Sequence, residues 1–327
     1  MLGCPHQVDC SIIRDCTLHG GETSAISKKH LRRRIEQLRR IESAGASFTL
    51  VGGSMGIVYV DLEHSRIVQD AVAGASHRAR LDTARTRLES AAGETCDVMR
   101  FEDVTLDVVR ILTPSSMVIS GNTTDWSEYH VATLAGLIDT IRCALVPILG
   151  ICGGHQLIGR AHGAAWGPLG RVRDGEFDPD PRFAPGLHKE RGFHHIDVDG
   201  ENPLFRNLVD APVVFQSHYW HLTSVPAGFI SCASSVDSPI QAIMRRDRPV
   251  FGVQFHPERF DHDNQDGNTV LRNFFATARG DAPLLAELEL QAEERLIAVD
   301  AVFSDQSLIA GIHNDQDHEV QLPAGHC

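Results

Sequence analysis

An α/β fold with a mostly parallel central sheet flanked by helices is predicted by three features of this 327-residue sequence. Short apolar runs alternate with amphipathic stretches, which is how a parallel sheet covered by helices reads. One of these runs passes directly through a glycine-flanked cysteine into a helix-like stretch. After Gly163 the pattern turns β-rich, and a helical stretch closes it.

Taken in order, residues 56–62 (GIVYVDL) read as a first buried strand. Residues 77–92 carry Leu81, Ala84, Leu88 and Ala91 at helical spacing among arginines. Strands follow at 96–101 and 116–120, with a helix around 105–112 between them. Val131, Leu134, Leu137, Ile138 and Ile141 mark a helix over 128–143. The run 146–150 is a strand, and a helix runs from Cys152 to about His162. The β-rich part offers strands at 193–198, 213–217, 229–234, 240–244 and 250–255, then a helix at 267–278. Within 193–198, His194 and His195 should face opposite sides of a strand.

Two helical extensions flank this domain, which is placed at 56–278. The N-terminal one, residues 1–55, holds a basic amphipathic helix at 28–41, where Leu31, Ile35, Leu38 and Ile41 share a face beside seven Lys/Arg. The C-terminal one, residues 279–327, holds an acidic amphipathic helix at 283–303 and a polar tail. Their opposite charges suit docking to a partner or to each other, or two solvated helices.

Composition sets outer limits on function. Apolar residues at 42% and charged residues at 22% give the balance of a globular protein. A formal net charge of −13 argues against nonspecific binding to nucleic acid or an anionic membrane. No apolar run approaches the ~20 residues that span a bilayer, and the N-terminus has no signal-peptide pattern. Eight cysteines without framework spacing fit reduced thiols in a cytoplasm. Cys4, His6, Cys10 and Cys16 match no zinc spacing, so no metal is expected. No G-x-x-x-x-G-K-[ST] loop is present for ATP, and no cofactor is expected.

The most informative stretch is Leu149-Gly150-Ile151-Cys152-Gly153-Gly154-His155-Gln156. A strand running into G-x-C-x-G and then a helix resembles a nucleophile elbow, which holds its nucleophile above the sheet. Cys152 would lie at the positive end of the helix dipole, which favours thiolate. The N–H of Gly153 would point at an oxyanion. Downstream by 104 positions, Gly252-Val253-Gln254-Phe255-His256-Pro257-Glu258 offers a base and its orienting carboxylate from one turn.

Together the two motifs closely resemble the class I (triad) glutamine amidotransferases. That family has a G-[IV]-C-x-G-[HM]-Q elbow and a G-[VLI]-Q-F-H-P-E segment, in this order and at about this separation. The resemblance covers 56–278 and implies a flavodoxin-like class I amidotransferase fold acting on L-glutamine. By position it makes Cys152, His256 and Glu258 the catalytic triad. It also places Gln156 and the backbone around Ser217 and His218 at a glutamine pocket. Ser217-His218-Tyr219-Trp220 is similar to the S-H-G-D stretch of the guanylate-synthase-like branch, with Tyr219 standing where that branch has glycine.

The family's S-G-G-P loop reads Ser120-Gly121-Asn122-Thr123 here. Gly121 and Asn122 are therefore the candidates for completing the oxyanion hole begun by Gly153. No synthetase motif follows residue 278, so the resemblance implies a separate synthetase as ammonia acceptor. Such a partner would act by moving the 120–122 loop to bring its N–H alongside that of Gly153. A stand-alone γ-glutamyl hydrolase or transferase, and a non-catalytic regulatory subunit, remain as alternatives.

Overall fold

A computed structural model describes residues 55–280 of the chain, apart from 174, 182 and 199–201. The amphipathic stretches at 28–41 and 283–303, the tail, and Cys4, His6, Cys10 and Cys16 lie outside the described residues. The first elements are β1 (Met55–Asp61), α1 (Ser65–Gln69), α2 (Ala71–Ala92), β2 (Cys96–Arg100), α3 (Leu106–Leu112), β3 (Pro114–Ile119) and α4 (Val131–Cys143). The centre is formed by β4 (Ile148–Ile151) and α5 (Gly153–Ala161). Then come β5 (Trp166–Pro168), β6 (Glu190–His195), β7 (Asp197–Val198), β8 (Val213–His218) and β9 (Trp220–Leu222). The described chain ends with β10 (Phe229–Ser234), β11 (Ala242–Arg245), β12 (Val250–Val253) and α6 (Asp266–Ala278).

Eight strands form the main sheet in the order β2-β1-β3-β4-β12-β11-β10-β7. The five from β2 to β12 run parallel, and β11, β10 and β7 continue antiparallel. Strand alternation explains how the sheet is covered. Ile57 and Tyr59 of β1 join a core with Leu88 of α2 and Val270 and Phe274 of α6. Val58 and Val60 join the opposite core with Val109 of α3, Leu137 and Ile141 of α4, and Ile158 of α5. Both faces are therefore apolar, as the unbroken run of β1 requires.

Two small sheets lie outside this one, β5 with β9 and β6 with β8. The strand expected at 193–198 is thus two strands serving different sheets, since β6 pairs with β8 while β7 pairs with β10. His194 and His195 are both exposed, so the expected inward and outward pair is not found. α2 begins six residues ahead of its expected start. Asp70 caps it by accepting from the N–H groups of Val72 and Ala73, whereas the side chains of its first turn face solvent and leave no apolar stripe. No helix among the described residues is long and apolar enough to cross a membrane.

Candidate functional site

Cys152 stands between β4 and α5 at φ 51° and ψ −105°. A non-glycine residue at positive φ is strained by roughly 1–3 kcal/mol and persists only where its surroundings over-determine it. Here they do. The Cys152 N–H donates to the Val253 carbonyl of β12 at 2.8 Å, and its carbonyl accepts from Gln156 N–H at 3.0 Å. Glycine at 154 lets α5 close down on the sheet, because a Cβ there would stand 2.5 Å from the Ile119 carbonyl of β3.

The pairing of β4 with β12 brings the second motif alongside the first. Ile151 is in register with Val253, so the residues just beyond each strand emerge on the same edge. His256 is fixed by its N–H to the Phe215 carbonyl, at 2.8 Å. Its Nδ1 lies 2.7 Å from Glu258 Oε1, which leaves Nε2 for the thiol side. His256 Cε1 and Cys152 Sγ both lie within 4 Å of the point where a Cβ on Gly121 would stand. Burial by itself disfavours charge on His256. The Glu258 carboxylate and then the Cys152 sulfur outweigh that and raise its pKa to about 10.

Asn122 packs directly on Gly153. A Cβ at Gly153 would collide with Asn122 Oδ1, and the Asn122 backbone nitrogen lies 3.2 Å from that same point. The N–H groups of Gly153 and Asn122 have no hydrogen-bond partner among the described residues. The 120–122 loop thus packs against the start of α5.

A small cleft opens over Cys152, lined by Asn122, Trp126, Gln156, Phe183, Ser217 and Tyr219 among others. Gln156 lines it with its amide already committed. Its Oε1 accepts from Trp126 Nε1 at 2.7 Å, and its Nε2 donates to the Trp220 carbonyl at 2.8 Å and to Gln254 Oε1 at 3.1 Å. The Ser217 carbonyl lies 4.0 Å from Cys152 Sγ. The His218 imidazole is buried, its Nε2 2.8 Å from Glu190 Oε2 and its Nδ1 3.0 Å from the Trp220 carbonyl. Tyr219 donates its hydroxyl to Asp125 Oδ2 at 3.1 Å and meets Phe183 edge-on.

The ten candidate residues thus gather around Cys152, with Ser217, His218 and Tyr219 brought there by β8 and the turn to β9. Three more join them that the motifs alone do not single out. Gln254, inside the second motif, donates from Nε2 to Cys152 Sγ at 3.6 Å, and its place one step beyond a strand end was the available signal. Asp125 and Trp126 carried no signal in sequence. Among the described residues no group of three or more His, Cys, Asp or Glu is arranged to hold a metal ion.

Comparison with known proteins identifies the family. The model of the class-I glutamine amidotransferase family matches residues 86–278. The glutamine-hydrolysing GMP synthase of Aliarcobacter butzleri is 31% identical over 186 residues, which is 56% of this chain and 31% of that protein. The one from Streptococcus mutans is 28% identical over 199 residues, 60% of this chain and 35% of that protein. The chain therefore matches about a third of the length of these curated relatives. In fold it is similar to a Thermoplasma acidophilum protein assigned as a GMP synthase subunit, with a TM-score of 0.52 and 23% identity over 70% of this chain and 96% of that one. With the family match spanning more than half of its length, the chain belongs to the class-I glutamine amidotransferases.

Proposed function

We propose that the chain hydrolyses the side-chain amide of L-glutamine through a Cys152 thioester and hands the ammonia to a separate synthetase. The observation that carries this reading is a cysteine on a strained elbow beside a histidine held 2.7 Å from a carboxylate. Cys152 sulfur attacks the amide carbon, and the carbonyl oxygen becomes an oxyanion facing the N–H groups of Gly153 and Asn122. His256, kept protonated by Glu258, gives its proton to the departing nitrogen, so ammonia leaves rather than an amide anion. The neutral ring then takes a proton from the water that attacks the thioester. Glutamate is released and the proton returns to the Cys152–His256 pair.

Gln254 supports the sulfur through its Nε2, the Ser217 carbonyl bounds the space for the substrate's amino-acid end, and the ring of Tyr219 bounds the space around its amide. Likeness to glutamine-hydrolysing GMP synthases makes a synthetase of that kind the candidate acceptor. A reducing cytoplasm would keep the nucleophile a free thiol, as Cys96, Cys143, Cys152 and Cys232 all are here.

The test is labelling with a glutamine-shaped electrophile. Cys152 should react and Cys96, whose thiol burial pushes up to about 12, should not. Cys143 is exposed but has no glutamine site beside it, so it should react only with nonspecific reagents. Cys152→Ala should abolish ammonia release with the fold intact, and host fractions holding the synthetase should raise the wild-type rate. Labelling at another cysteine, with Cys152 untouched, would refute the assignment.

A further inference from the structure

The loop that seats Asn122 against Gly153 is held by a residue belonging to neither motif. Glu63 follows β1 and is 1% exposed. Its Oε2 accepts from the N–H of Thr123 at 2.8 Å and from the Thr123 hydroxyl at 2.7 Å. Its Oε1 accepts from the Thr124 hydroxyl and from His64 N–H, both at 2.9 Å. An ionised carboxylate offers about four acceptor positions, so this one is filled. Thr123 and Thr124 are the two residues directly after Asn122. The loop's other end is also stitched to β1, through Ser120 N–H to the Val60 carbonyl at 3.0 Å and Leu62 N–H to Ser120 Oγ at 2.9 Å.

The sequence says why such a clamp is needed. Where the resembling family's S-G-G-P loop has proline, this chain has Thr123. Proline fixes its own φ and has no N–H to satisfy. Threonine leaves the backbone freer and adds two donors, its N–H and its hydroxyl. Glu63 takes both.

We propose that Glu63 is a positioning residue for amide hydrolysis, fixing the 121–124 loop so that the Asn122 N–H stands beside that of Gly153 at the oxyanion. This rests on the reading of Cys152 as nucleophile and Asn122 as oxyanion donor. Glu63 itself touches neither substrate nor sulfur. Its loss should therefore lower the chemical step, not substrate binding and not thiol reactivity.

Glu63→Gln is the direct probe, because an amide has one acceptor oxygen and must turn N–H donors toward two of the four groups it meets. kcat for glutamine should fall by about 10- to 100-fold, a part of the ~10²–10³ that one oxyanion donor is worth. KM should hold. Alkylation of Cys152 by iodoacetamide, which forms no oxyanion, should proceed at the wild-type rate. Thr123→Val removes only the hydroxyl and should lower kcat in the same sense by less. The double variant should be no worse than Glu63→Gln alone, since both act through one contact. The proposal is overturned by an unchanged kcat in either variant, by alkylation falling in step with kcat, or by losses that simply multiply. Should Glu63→Gln not fold, Thr123→Val decides alone by the same kcat and alkylation readings. If Cys152→Ala hydrolyses glutamine as fast as wild type, the amidotransferase reading itself fails, whatever Glu63 does.

Discussion

Cys152 and His256 are far apart in sequence, yet each stands just beyond the end of a strand, and those two strands are neighbours in register. The sheet therefore delivers the pair, and Glu258 sets its charge. Because the carboxylate and the nearby sulfur raise His256 to about 10, the ring carries a proton throughout the neutral range. The sign for stability follows from linkage. A raised folded-state value contributes stability that is fully present below the unfolded value of 6.5 and is lost as pH rises through about 10. In the proposed mechanism the same proton is the one given to ammonia, so activity should hold through neutral pH and fall on an alkaline limb near 10. Glu258→Gln removes the largest charge favouring the imidazolium, so that limb should slide down toward 6.5. His256→Ala removes the acid altogether and should cost on the order of 10²–10⁴ in kcat. A pH–rate profile of Glu258→Gln whose alkaline limb matches wild type would show that Glu258 does not set the charge on His256.

At the scale of elements, the first turn of α5 is pressed onto β3 at Gly154, and backbone on both sides leaves nothing to yield. Gly154→Ala would put a methyl 2.5 Å from the Ile119 carbonyl. Overpacking of this kind costs about 1–3 kcal/mol. Urea unfolding should show a lower midpoint at unchanged slope, and glutaminase activity should fall as the helix start moves away from Asn122. A wild-type midpoint with full activity would mean that this junction is loose. The elbow was legible in sequence because strand, turn and helix lie within one short window, and the apolar runs of β1, β3 and β4 needed only local reading. The division of 193–198 between two sheets was not legible, since it is decided by β8 and β10, partners more than a dozen residues downstream. The ribbon of β5 with β9 was missed for the same reason, its members being three residues each. Glu63 carried no signal at all, because its partners at 123 and 124 meet it only once β1 and β3 have paired.

The whole molecule places its cleft at a seam. One wall, from Asn122 to Trp126, follows β3 of the main sheet, while the other is the turn from β8 to β9 with Phe183, supported by the small sheets. Gln156 spans part of this seam through the Trp220 carbonyl, and Arg191 donates to Ser217 Oγ and to Asp180 from the β6 side. A side-chain bridge from wall to wall at the cleft mouth runs from the Tyr219 hydroxyl to Asp125, whose carboxylate the Trp220 side chain also reaches. Burial and then the Asp125 carboxylate raise the pKa of that hydroxyl, so it remains a donor through the neutral range. Tyr219 occupies the position where the resembling branch has glycine, and its ring, backed by Phe183, narrows the space over Cys152. A tight mouth suits an unsubstituted amide and excludes a bulkier γ-glutamyl amide. Tyr219→Gly should therefore do two things at once. KM for glutamine should rise about tenfold, equivalent to roughly 1.4 kcal/mol of lost binding. γ-Glutamyl methylamide, which wild type should turn over negligibly, should become a substrate, because the added methyl now has room. Asp125→Asn keeps the ring but weakens the bridge, and should raise KM for glutamine without admitting the methylamide. Rapid turnover of the methylamide by wild type would instead mean that Tyr219 sets no limit on the amide, and that the chain works as a general γ-glutamyl hydrolase.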